Sequence, residues 1–148
     1  MAVHTLLATL VLAISVVLAG LFTAKSAVPW TEIITASIVL WVVSLAFIPI
    51  QLWAATWKGT FFSMAIGFVG MLAGAFAAAT SYWIYVPWSW TTRLMCPIIG
   101  VKPNGLLLEA TDPLRNGSVI PIGIGLSLVV FVAITMITAI WFNKREVK

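Results

Sequence analysis

Glu109, Asp112 and Arg115 follow one another at intervals of three. On a helix that spacing would gather two carboxylates and a guanidinium on one face, the raw material of general acid–base chemistry. Pro113 within the run and Gly117 after it direct a loop instead, so surface ion pairing is the expectation. The lone cysteine, Cys96, has the chemistry of a thiol nucleophile, but a thiol needs a neighbouring base to activate it. The lone histidine, His4, stands at the far end of the chain. Cys96 is therefore read as an apolar filler at the membrane surface, and a single cysteine excludes an intrachain disulfide. A haem or metal site inside one helical bundle needs two or more nitrogen or sulfur ligands. His4 alone does not supply them, so no cofactor and no metal is expected unless a partner chain completes a site. Met64 and Met71, one heptad apart, are read as packing side chains ahead of copper ligands. Asn116-Gly117-Ser118 matches the glycosylation acceptor pattern, which matters only in a secretory route.

The elements that would have to position these residues are apolar helices. The 148 residues are 62% hydrophobic and 8% charged, with a mean hydropathy of +1.13. Soluble domains carry about 25% charged residues. All twelve charges lie in the connections, at the margins of the apolar stretches or after the last of them. Even on the mildest scale a charge at the bilayer centre costs about 2.5–3.5 kcal/mol, so this partition is itself a transmembrane signature. The eight basic residues, among them Lys25, Lys58, Arg93 and Lys102, are scattered through the connections and the tail without forming a patch. Nucleic acid is therefore not an expected partner, whereas the lipid bilayer is.

Four spans are predicted, over residues 3–24, 31–57, 60–86 and 119–142, as one transmembrane domain: an all-α integral membrane protein built as a four-helix bundle. The first stretch has no Lys or Arg before it and is longer than the roughly 7–15 apolar residues of a signal peptide, so it is read as a retained span despite Thr23-Ala24-Lys25. Ser26 or Thr31 would cap the second span, with Pro29 in its first turn and Glu32 at the positive end of its dipole. Pro49 inside that span predicts a kink near Leu45–Pro49. Lys58-Gly59 leaves only a tight turn before the third span, which Pro87 would end. Tyr82, Trp83, Tyr85, Trp88 and Trp90 read as an interfacial aromatic belt. Residues 87–118 form the one sizeable extramembrane segment, with Pro97–Val101 and Leu106–Glu109 expected as the strands of a β-hairpin around Lys102-Pro103-Asn104-Gly105.

Small residues punctuate the third span. Ser63, Gly67, Gly70, Gly74, Ala77 and Ser81 recur at steps of four and three along one helix face, and Gly70–Gly74 is a GxxxG motif. Such a stripe lets backbones approach closely, either within the bundle or at a subunit contact. Gln51, Thr35, Ser37, Ser44, Thr135 and Thr138 are the polar groups in or near the spans, and hydroxyls there bond back to their own helices.

With four spans both termini share a side, and basic residues tie between the two sides. The compact tail, Lys144, Arg145 and Lys148, tips the expectation toward cytoplasmic termini in a plasma membrane. No Asp, Glu, His, Lys or Arg is expected inside the membrane beyond the span ends, where His4 and Glu32 stand, and no inverted repeat is visible, which argues against an independent pump or carrier. The expected function is a non-catalytic accessory subunit of a larger membrane complex, of redox or respiratory type. The alternative is a homo-oligomeric channel or small transporter with the glycine stripe at the protomer contact. A third reading is a lipid-phase enzyme using Arg93, Cys96 or Glu109.

Overall fold

The computed structural model describes residues 1–23 and 28–146, with side chains described for 1–22 and 28–143. Ala24, Lys25 and Ser26 of the first connection, and Lys148 of the basic tail, lie outside the described residues, as do the side chains of Lys144 and Arg145. The described residues form six α-helices: α1 Ala2–Thr23, α2 Trp30–Ser44, α3 Phe47–Lys58, α4 Thr60–Ala77, α5 Pro87–Ile99 and α6 Val119–Glu146. Four stretches are long and apolar enough to cross a membrane: Ala2–Phe22, Trp30–Lys58, Thr60–Ala77 and Val119–Asn143. The chain is thus an all-helical membrane protein with four candidate spans.

Helix α2 starts at Trp30, directly after Pro29, and no side chain caps it. Thr31 lies inside the first turn rather than at the cap, because the fixed φ of Pro29 already sets the entry angle. Glu32 sits in that first turn. The α-helical pattern lapses between Ser44 and Phe47, where Leu45, Ala46 and Ile48 N–H groups donate three residues back, to Val42, Val43 and Leu45. Pro49 follows as a buried residue of α3. Gly59, at φ +91°, closes α3 and opens α4, a reversal that an L side chain would strain.

The third span is shorter than the sequence predicts. Its α-helix ends at Ala77, and Ser81–Tyr85 form a separate 3-10 turn. Thr80 is extended, and its hydroxyl accepts the Tyr82 N–H, an alternative to the helical bond that Ser and Thr often offer. No charge interrupts the chain through this region, which is why composition alone overruns the helix end. Pro87 does not close a span but opens α5 at its first position, where the missing N–H costs nothing.

The expected hairpin is also corrected. Pro97–Ile99 belong to α5, which stops at Gly100 in the left-handed conformation (φ +68°), its N–H bonded to the Cys96 carbonyl. Beyond it the turn Lys102–Gly105 closes a single antiparallel bridge between Val101 and Leu107, with Lys102 N–H donating to the Leu106 carbonyl at 2.7 Å. Among the described residues no strand forms. A glycine able to terminate a helix outweighs the short apolar run that suggested a strand.

The core gathers around α5. Trp90 and Leu94 of α5 cluster with Val39, Val43 and Ala46 of the second span, Trp83 of the 3-10 turn and Val119 of α6. Ala2 meets Pro49 and Leu52 of α3 and Thr138 and Phe142 of α6 around one apolar hollow of about 350 Å³. The start of α1 and the end of α6 therefore lie together beside α3.

Candidate functional site

The small-residue stripe of α4 divides between two neighbours. At its first turn, the Ser63 hydroxyl donates to the backbone carbonyl and side-chain oxygen of Gln51 on α3. Gly67 faces the same side chain: a Cβ there would stand 2.8 Å from the Gln51 amide nitrogen. Further along, Gly70 lies against the indole ring of Trp88, and a Cβ on Gly74 would come within 2.6 Å of the Trp88 carbonyl carbon and oxygen. Ala77 is partly buried at the helix end, while Ser81 is exposed in the 3-10 turn, off the helix face. Met64 and Met71 point outward from α4.

Trp88 is held from two sides, since its ring also stacks on Phe47 at 6.0 Å and 21°. On α6, Gly123 receives Leu94 in the same way, with a Cβ position 2.5 Å from a Leu94 methyl. Thus α5 is seated on glycines from α4 and α6, and glycine is needed there for close approach. Two side chains tie α5 to the 3-10 turn before it. The Ser89 hydroxyl donates to the Trp83 carbonyl at 2.7 Å, and the Trp90 indole N–H donates to the Ile84 carbonyl at 3.0 Å.

Arg93 is the unexpected member of this site. Its side chain is 94% buried, it donates to the Leu114 carbonyl at 3.0 Å, and its guanidinium lies 6.0 Å from the Trp83 ring centroid. The one ion pair among the described residues joins Lys102 to Asp112 at 2.8 Å instead. The Glu109, Asp112 and Arg115 series therefore does not assemble as a group. Asp112 turns to Lys102, and Arg115 donates to the Leu108 carbonyl at 3.5 Å. Cys96 is buried, with its thiol directed at the Thr92 carbonyl of its own helix. His4 is exposed. The hydroxyls of Ser37, Ser44, Thr135 and Thr138 donate to carbonyls of their own helices.

Sequence reasoning placed Trp88, Trp90 and Arg93 in an aromatic belt and a surface segment. The missed signal was the helical spacing of Trp90, Leu94 and Ile98 directly after a proline suited to a helix start. That pattern marks an amphipathic helix of its own.

The Lys102–Asp112 pair makes the turn region sensitive to pH. The Lys102 ammonium, first by its hydrogen bond, and then the Leu114 N–H hold the Asp112 carboxyl below the ordinary carboxylate range. Its contribution is complete above the ordinary carboxylate value and is lost as pH falls through the lower folded value. The same hydrogen bond holds Lys102 above its usual value, so that side of the pair fails only as pH rises through the raised lysine value. Protection of the 101–108 amides, corrected for intrinsic exchange, is expected to fall in acid below about pH 4. An Asp112→Asn variant should abolish that acid step.

A second feature is an apolar groove of about 630 Å³ between α1, α2 and the end of α5. Leu12, Val16, Ile33, Leu40, Met95 and Ile99 line it, with Glu32 on its wall.

No family model, no curated protein and no solved structure matches this chain. The class defined by the fold is an all-helical membrane protein with four candidate spans.

Proposed function

We propose that this chain is a non-catalytic accessory subunit of a larger membrane complex whose other subunits carry the redox chemistry. In this reading the four spans form one bundle in the plasma membrane, with Pro49 at a kink and both termini cytoplasmic. The observation that carries it is α1. No residue in the apolar window of that helix is fully buried; its only inward face is the half-buried stripe Thr5, Thr9, Ala13, Val17 and Gly20, and the rest of its apolar surface is exposed. Helix α1 thus has an exposed apolar face to offer a partner span, beside the groove that it forms with α2 and α5. The glycine contacts on Trp88 and Leu94 give such a subunit a rigid frame, because they fix α5 against two spans.

The test is purification from native membranes in a mild detergent, followed by mass spectrometry and an absorption spectrum. Stoichiometric partner subunits with a bound chromophore are the expected result. Partners without a chromophore would overturn the redox assignment. A clean monomer or homo-oligomer would overturn the subunit reading, and a homo-oligomer would direct attention to flux in vesicles.

A further inference from the structure

The sequence predicts residues 87–118 outside the membrane, yet the contacts of α5 are made inside the spans. The Lys58-Gly59 turn, with its charge, marks one membrane boundary, and α4 rises from it. At 1.5 Å per residue, Gly70 and Gly74 lie about 15 and 21 Å along α4 from Thr60. The hydrocarbon core is about 30 Å thick. The Trp88 backbone, which touches Gly74, is therefore about 9 Å below the opposite boundary, and its ring reaches toward mid-depth at Gly70.

The second span gives a similar answer from the same boundary. Val39 and Val43, in the cluster with Trp90 and Leu94, lie about 28 and 22 Å along it from Lys58, so that Val43 is about 8 Å below the opposite boundary. The fourth span agrees as well, since Leu94 presses on Gly123 rather than on residues before α6 begins. Three spans thus place α5 between the membrane face and mid-depth.

We propose that residues 78–100 form a re-entrant wedge. The chain leaves α4 at one face of the membrane, dips inward through the 3-10 turn, reverses at Val86–Trp88 and returns to the same face along α5. The outer edge of the wedge, Tyr82, Ile84 and Tyr85, is exposed at 69%, 40% and 80%. Its partner is the lipid bilayer: acyl chains contact the ring faces and the phenol tips reach toward the headgroups.

Two further observations fit this depth. Non-helical backbone at membrane depth has to satisfy its polar groups within the protein. In this segment the Trp83 and Ile84 carbonyls accept from Ser89 and Trp90 side chains. Arg93, about 7 Å nearer the membrane face along α5, has its cation covered by the Leu114 carbonyl and the Trp83 ring, as a charge at the edge of hydrocarbon requires.

The experiment places a nitroxide at Tyr85→Cys or Asn104→Cys, each in the full-length chain carrying Cys96→Ala, reconstituted in phosphatidylcholine bilayers. Collision with apolar oxygen and with a water-soluble nickel chelate is then measured by electron paramagnetic resonance. Both sites are exposed in the chain by itself, so exposure alone predicts equal behaviour. The wedge predicts that the label at 104 favours nickel, whereas the label at 85 favours oxygen, with an oxygen-to-nickel collision ratio at least about tenfold higher, because a polar chelate is excluded from hydrocarbon while oxygen is not. Equal nickel access at both sites would overturn re-entry. Exclusion of both reagents from 85 would overturn the lipid contact, because protein would then cover that edge. Unaltered thermal midpoints in both labelled chains, relative to the Cys96→Ala parent, are required for either reading. A shifted midpoint is met by moving the label to Tyr82, where the same two outcomes decide.

Discussion

Replacing Gly74 by leucine is expected to cost about 3 kcal/mol or more of stability, the upper part of the range for overpacking a tight interface. The Cβ alone would stand 2.6 Å from the Trp88 carbonyl carbon. That obstacle is backbone, held at the start of α5 between the Phe47 ring and α4, and cannot rotate aside. Relief would require lifting α5 off α4, with loss of the Trp90 and Leu94 contacts on α2. Gly125→Leu supplies the control. Nothing lies within 4 Å of its Cβ position, and leucine has the better helix propensity by somewhat less than about 1 kcal/mol. Unfolding titrations in mixed micelles should therefore show a large loss for Gly74→Leu and no loss for Gly125→Leu. Equal behaviour of the two would mean that α4 and α5 are not in contact.

Trp90→Ala is expected to lose about 3–5 kcal/mol, the usual range for emptying a buried aromatic site. Trp90 is 2% exposed and stands at the centre of the cluster joining α2, α5, α6 and the 3-10 turn. Trp90→Phe separates packing from hydrogen bonding. It keeps most of the ring and removes the N–H that the Ile84 carbonyl accepts, a change worth about 1 kcal/mol. The same titration should rank the tryptophan first, the phenylalanine variant close behind and the alanine variant far below. A mild alanine variant would show that the spans cohere without α5.

Both predictions bear on the accessory-subunit proposal. If α5 is the keystone of the chain, its own spans are fixed without help, and partner contacts fall to the surfaces left open. Helix α1 is one of these, since it packs beside α2 with no residue of its apolar window fully buried.

Much of the fold was legible in the sequence. Twelve charges confined to connections and margins, with long apolar runs between them, determine the number of candidate spans, because hydrocarbon penalises every misplaced charge. Gly59 determined the tight reversal between α3 and α4, since its positive φ is open to few other residues. Glycines spaced along the third span announced close packing, and the turn at Lys102–Gly105 followed from its proline and glycine. The sequence did not tell what the glycines receive. Gly70 and Gly74 could face lipid, another subunit or this chain, and only the tertiary structure seats Trp88 on them. Nor did apolarity locate the end of α4 or the start of α5, because hydropathy measures the preference for burial and is silent about backbone direction. Arg93 is the clearest case. By sequence it is one of several scattered cations. Its burial is decided by residues ten positions before and twenty-one after, Trp83 and Leu114, which come together only when α5 folds back among the spans.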